Sequence, residues 1–151
     1  TPAPFFTLNY DFASADTLIT AADCAGVVAV KPPETSGTVA AALKASKGST
    51  LGTVVLNFED VTVAGVTGYN AYEGNMPFAV ATPYTHGSAP GNVCNVATTL
   101  VAGRRTTPAA GIGTAGSHYY LIAAFNTTLE GPSGYNSAAV EIPPAMSTCA
   151  P

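Results

Sequence analysis

The sequence predicts an all-β chain, and three observations carry that prediction. Residues 118–126, His-Tyr-Tyr-Leu-Ile-Ala-Ala-Phe-Asn, hold strand-forming types without a break and then meet Gly131-Pro132, which ends any strand. Alternate positions divide this stretch between two faces, Tyr120, Ile122 and Ala124 on one and Tyr119, Leu121 and Ala123 on the other. Residues 5–12 repeat the two-residue period, with Phe6, Leu8, Tyr10 and Phe12 opposite Thr7, Asn9 and Asp11. Further short apolar runs follow, most of them closed by Gly or Pro.

In chain order, Pro2 and Pro4 forbid regular structure at the start, and Phe5 opens the first alternating strand. A strand so apolar on one face has to be covered by something. Residues 14–23 read as either a short helix or a loop. Residues 26–30 form a second candidate strand, closed by Lys31-Pro32-Pro33. Then come 38–45, Ala-rich and also compatible with a helix; the turn Lys47-Gly48-Ser49; and 53–58, with Val54, Leu56 and Phe58 inward. Residues 66–74, 78–80, 82–86 and 137–142 are the remaining candidate strands, the last ended by Pro143-Pro144.

Tyr120, Ile122, Ala124, Asn126 and Gly131 stand as in the Tyr-x-Val-x-Ala-x-Asn pattern, with its glycine-containing loop, of strand F in fibronectin type III domains. The chain resembles that family over residues 36–143. The resemblance implies a seven-strand fibronectin III/Ig-like sandwich with an additional N-terminal extended strand, and makes Tyr120 the corner tyrosine whose hydroxyl bonds to upstream backbone. It assigns 38–45, 53–58, 66–74, 78–80, 82–86, 118–126 and 137–142 to strands A, B, C, C′, E, F and G. Phe58 stands where the family usually has Trp. The domains are then a 1–33 extension, a sandwich over 34–144 and a 145–151 tail. The departure is an E–F insert over 87–117, carrying Cys94, Arg104 and Arg105, and loops of that length are usually functional.

Three widely spaced cysteines have no Cys-x-x-Cys spacing, so zinc and c-type haem are not indicated. An odd count suggests one bridge with a spare thiol or an intersubunit bond; three buried free thiols are the alternative. In the implied topology the insert and the tail share one pole, which pairs Cys94 with Cys149 and leaves Cys24 spare or intermolecular, unless the leader folds back across.

Composition narrows the function. The 151 residues suit one domain; 47% are hydrophobic but only 9% charged, against about 25% in typical soluble domains. Low charge weakens the usual defence against association, so the surface is expected to be one that associates. A net charge of −4 with five basic residues argues against nucleic acid. No apolar run reaches the length of a membrane span. A signal peptide is expected to be absent or already removed.

Gly111-Ile-Gly-Thr-Ala-Gly116 spells the dinucleotide fingerprint, but Pro108-Ala-Ala precedes it and a strand follows, so it is expected to be a flexible turn. His86 and His118 are expected as loop-edge histidines in solvent. Asp11, Asp16, Asp23 and Glu34 lack calcium-loop spacing, and Glu59-Asp60 reads as a turn. Paired carboxylates for glycoside hydrolysis depend on separations in space that a sequence does not give, but no acid stands among aromatic and basic residues. Tyr69, Tyr72, Phe78 and Tyr84 are either a sugar-stacking platform or, for at least half of them, core. Asn126-Thr127-Thr128 is a candidate glycosylation sequon. No cofactor is expected.

The expected function is a non-enzymatic extracellular structural protein, a subunit of a filament, pilus-like or surface-coat assembly. Phe5, Phe6, Leu8, Tyr10 and Phe12 are the assembly residues, joining copies of the chain, or another surface-filament protein, by strand addition. The alternative is a monomeric adhesion or carbohydrate-binding module with a glycan as partner.

Overall fold

Apolar side chains on one parity and polar ones on the other organise the central strands of the computed structural model, which describes residues 31–35, 42–63, 65–77, 84–87, 91–136, 138–145 and 148–149. The chain divides into two units, Thr1–Val30 and Lys31–Pro151, and the described residues all belong to the second. The expected strands at 5–12 and 26–30, the 14–23 segment, Cys24 and the 78–80 strand lie outside them, as does the first half, 38–41, of the expected 38–45 strand.

Six strands are found: β1 (Lys44–Lys47), β2 (Val54–Glu59), β3 (Gly68–Asn75), β4 (Thr99–Val101), β5 (Arg104–Thr106) and β6 (His118–Phe125). They form two antiparallel sheets, β1-β2-β5-β4 and β3-β6, consistent with a β-sandwich. There is no helix among the described residues, hence none long and apolar enough to cross a membrane.

In the first sheet β2 is central: Leu56 and Phe58 point inward and are fully buried, while Glu59 is exposed. Its flank β1 is exposed at all four positions and carries Lys44 and Lys47, charges that blunt a sheet edge. In the second sheet β3 and β6 pair over eight residues, from Gly68 opposite Phe125 to Asn75 opposite His118. That register places Tyr69, Ala71, Ile122 and Ala124 against Leu56 and Phe58, with Tyr120 packed at the margin. Phe58 and Tyr69 meet edge to face at 5.0 Å. The opposite parity, Tyr72, Ala123 and Leu121, packs against Ala145 and Cys149 from the C-terminal segment. The β3–β6 ladder is therefore buried on both faces.

Four expectations are corrected. The 87–117 segment is more than a long loop: it contains the β4–β5 hairpin, and β5 pairs with β2. Of 82–86 the described residues 84–86 are in no strand. Their amides are diverted, since Thr85 N and His86 N both donate to the Tyr119 hydroxyl, at 2.9 and 3.0 Å. Arg104-Arg105-Thr106 does not read as a strand because its side chains serve the fold by polar contacts. Arg104 Nη2 donates to the carbonyls of Ala42 and Asn57, and Arg105 lies over the Tyr69 ring and bonds Asp60.

Of the expected last strand at 137–142 the described residues 138–142 are likewise in no strand; Tyr135 and Glu141 form an isolated bridge. Asn136 Oδ1 accepts from the amides of Ala138 and Val140, and Ala139 sits at φ 57°, so a side chain displaces the ladder. Lastly, Tyr120 is not a corner tyrosine bonded to backbone, because its hydroxyl donates to Glu73. The neighbouring Tyr119 makes the upstream backbone contact instead.

The β4–β5 turn is made by Ala102 and Gly103, both at positive φ, 50° and 76°. Two such residues make the turn that matches strand twist, and alanine is poorly suited to the first. Ala102→Asn is expected to stabilise the protein by up to about 1 kcal/mol. The check is urea unfolding, with a higher midpoint and an unchanged slope; a lower midpoint would contradict this turn geometry.

Candidate functional site

Parity puts Glu73 on the inward face of β3, two residues beyond Ala71, and the whole residue is buried. A buried carboxylate needs donors, and the glycine-rich loop before β6 supplies them. Thr114 donates from its amide to Oε2 at 2.7 Å and from its hydroxyl to Oε1 at 2.6 Å, while Tyr120 OH donates to Oε2 at 2.9 Å. The Glu73 amide in turn bonds Asn92 Oδ1 at 2.8 Å. A Cβ at Gly91 or Gly113 would collide with this carboxylate, and Gly113 also needs its φ of 85°. Burial pushes the Glu73 carboxyl up, but the Thr114 and Tyr120 hydrogen bonds and nearby His118 outweigh it, leaving it below its ordinary value. The loop that spells a nucleotide fingerprint thus cradles an anion belonging to the chain itself. The same contact raises the Tyr120 hydroxyl, through burial first and the Glu73 bond second.

Beside this cluster runs an open groove of about 590 Å³. One wall comes from the first sheet, Lys47 and Val54, and the other from β6, His118 and Tyr120. Leu51 stands at it 89% exposed. Among the described residues no strand pairs with the edge of β6 away from β3, which Thr35 Oγ1 reaches at Ile122 O and Gly131 N at Ala124 O, with an isolated bridge between Phe125 and Glu130. The other open edge of this sheet is guarded, because Val93 exchanges two backbone bonds with Ala71 and Val96 N bonds Tyr69 O.

The outer layer over β3–β6 is pinned by Tyr72, His86 and a disulfide. Cys94 is bonded to Cys149, with Cα atoms 5.4 Å apart. Tyr72 OH donates to Glu130 Oε1 at 2.6 Å and accepts the Cys149 amide at 3.1 Å. Burial and the Glu130 bond raise its hydroxyl. His86, 1% exposed, has Nε2 2.8 Å from Pro143 O. A carbonyl only accepts, so Nε2 carries the proton and Nδ1 accepts from Tyr119 OH at 3.1 Å. Burial lowers the affinity of this ring for a second proton.

Several expected sites move accordingly. Neither histidine lies free in solvent: His86 is core, and the His118 side chain is 12% exposed with Nε2 3.8 Å from Glu73 Oε1. Tyr69 and Tyr72 are buried, so no stacking platform forms from them; Tyr84 packs edge-on to His86, and Phe78 is outside the described residues. Asp60 is held by Tyr69 OH at 2.6 Å and Arg105 Nε at 2.7 Å. Burial raises its carboxyl, but these two bonds and the arginine charge prevail and lower it; burial and the Asp60 bond push Tyr69 up to about 12. Asn126, at the expected loop edge, accepts from Thr128 N, Thr128 Oγ1 and Leu129 N. The assembly residues Phe5, Phe6, Leu8, Tyr10 and Phe12 are outside the described region.

Sequence reasoning missed Glu73, although it shares the parity of Tyr69 and Ala71, and an acid there is a signal in itself. Comparison of the chain with protein-family models, curated proteins and solved structures found no match.

Two outcomes follow from these buried groups. Glu73→Gln brings an amide donor against the Thr114 and Tyr120 donors and is expected to destabilise by about 2–3 kcal/mol, read by chemical unfolding. His86 stays neutral in the fold but takes a proton below its ordinary value of 6.5 once unfolded. The unfolded state then holds more protons, so stability is expected to fall as pH drops through 6.5. Glu73 and Asp60, both lowered, add a further loss below their ordinary values of 4.5 and 3.8. Melting temperatures that stay flat from about pH 7.5 to 5.5 would exclude the buried neutral histidine.

Proposed function

We propose that the chain is a non-enzymatic extracellular structural subunit, joined to its neighbours by strand addition in a filament, pilus-like or surface-coat assembly. The observation that carries this reading is that, among the described residues, no strand pairs with β6 on its edge away from β3, beside a groove walled by both sheets. On this reading the sandwich is fibronectin III-like, with β1, β2, β5, β3 and β6 as strands A, B, E, C and F, and no strand among the described residues stands in its strand G position. Residues 5–12 of another copy fill it, with Phe6, Leu8, Tyr10 and Phe12 turned into the groove. A head-to-tail contact of this kind does not close, and repeats into a filament. The charge-poor composition supports association, and the Cys94–Cys149 bond is compatible with an oxidising, extracellular setting. The alternative, a monomeric carbohydrate-binding module, is weakened because Tyr69 and Tyr72 are buried.

Sedimentation under native, non-reducing conditions tests the proposal on the full chain and on a version lacking residues 1–12. Large polymers from the first and monomers from the second are expected. Monomers in both cases would overturn the assembly reading and favour the binding module.

A further inference from the structure

A cavity of about 320 Å³, separate from the groove, lies against the C-terminal segment. That volume falls among those of small-ligand sites. Leu129, Pro132, Ile142, Pro144 and Cys149 line it with apolar surface, and Glu130 stands among them. Oε1 of Glu130 accepts from Asn70 Nδ2 and from Tyr72 OH, both at 2.6 Å, and both of those residues are buried. The carboxylate is thereby fixed in one orientation. Its Oε2 takes no hydrogen bond from the described residues, and no described cation pairs with it. Lys31, at the cavity, is 3.3 Å from Glu141 instead.

A fixed carboxylate without a counter-charge, among apolar walls, selects its ligand by two requirements. Anions are repelled by Glu130, whose charge, unlike that of Glu141, meets no cation among the described residues. A wholly apolar ligand would strip water from Oε2 and return no donor. We propose that this cavity binds a primary ammonium on a short apolar stem, the ammonium donating to Glu130 Oε2 and the stem packing against Ile142 and Pro144. A free alkylamine and a lysine side chain share that chemistry. The chain itself offers Lys44 and Lys47 on the exposed strand β1, so a second copy is one source.

The test is titration of the full chain with n-pentylammonium, followed by amide NMR, with n-pentanol as the uncharged control. Saturable shifts at residues 129–133 and 149 are expected with the amine and not with the alcohol. Glu130→Gln keeps an oxygen for Asn70 and Tyr72 but removes the charge, and is expected to weaken binding about tenfold or more. Lys31→Gln, at an exposed position, removes the competing cation and is expected to tighten it, which keeps the test independent of how Glu130→Gln folds. Equal binding of alcohol and amine, no saturation, or an unchanged affinity in the folded variants would overturn the proposal. Replacing Lys44 and Lys47 together by Gln separates the sources. Amine binding persists in either case, while weaker self-association, matched by competition from pentylammonium in the parent chain, identifies the second copy.

Discussion

The burial of one carboxylate, Glu73, sets the conditions that the rest of this end of the sandwich has to meet. An ionised group at full burial is tolerable only with several donors in place. Those donors come from Thr114 and Tyr120, so the chain between β5 and β6 must pass directly over β3. Close passage needs glycine at 91 and 113. It also fixes where β6 begins and brings His118 and Tyr120 to the wall of the groove. The carboxylate thus belongs to the architecture, and the shape of the open side depends on it.

The same solution recurs elsewhere. Tyr69 holds Asp60, Tyr72 holds Glu130 and Tyr120 holds Glu73. With five basic residues against nine acidic ones, this chain has few cations for its interior carboxylates. Phenol hydroxyls take that role, joined in one case by Arg105. A neutral donor keeps the carboxylate oriented without adding charge, which suits a protein whose surface is also charge-poor.

How much of this was legible in the sequence depended on whether a residue acts through its apolar bulk or through its polar atoms. The two-residue period around Tyr120 and Leu56 marked β6 and β2, because those side chains enter apolar layers. The β4–β5 hairpin was hidden. Its arginines are held by carbonyls and by Asp60, and its turn is Ala-Gly where Asn-Gly would have announced it. Residues 137–142 look like a strand, but Asn136 draws residues 138–140 back through its own side chain, a contact that pattern does not encode. The glycine loop was recognised as a poor nucleotide site, whereas its actual anion, 41 residues away at Glu73, is a partner only the fold could provide.

The disulfide also decides how the molecule would respond to force. Cys94 and Cys149 enclose the segment holding β4, β5 and β6 in a covalent ring. Tension applied to the chain beyond Cys149 crosses the sulfurs to residue 94, beside β3, and does not travel through the ring. Residues 95–148 can be sheared against their neighbours but cannot be drawn out into an extended thread. The length released under a pull is therefore limited to residues outside the ring, and β6, whose edge borders the groove, lies within it.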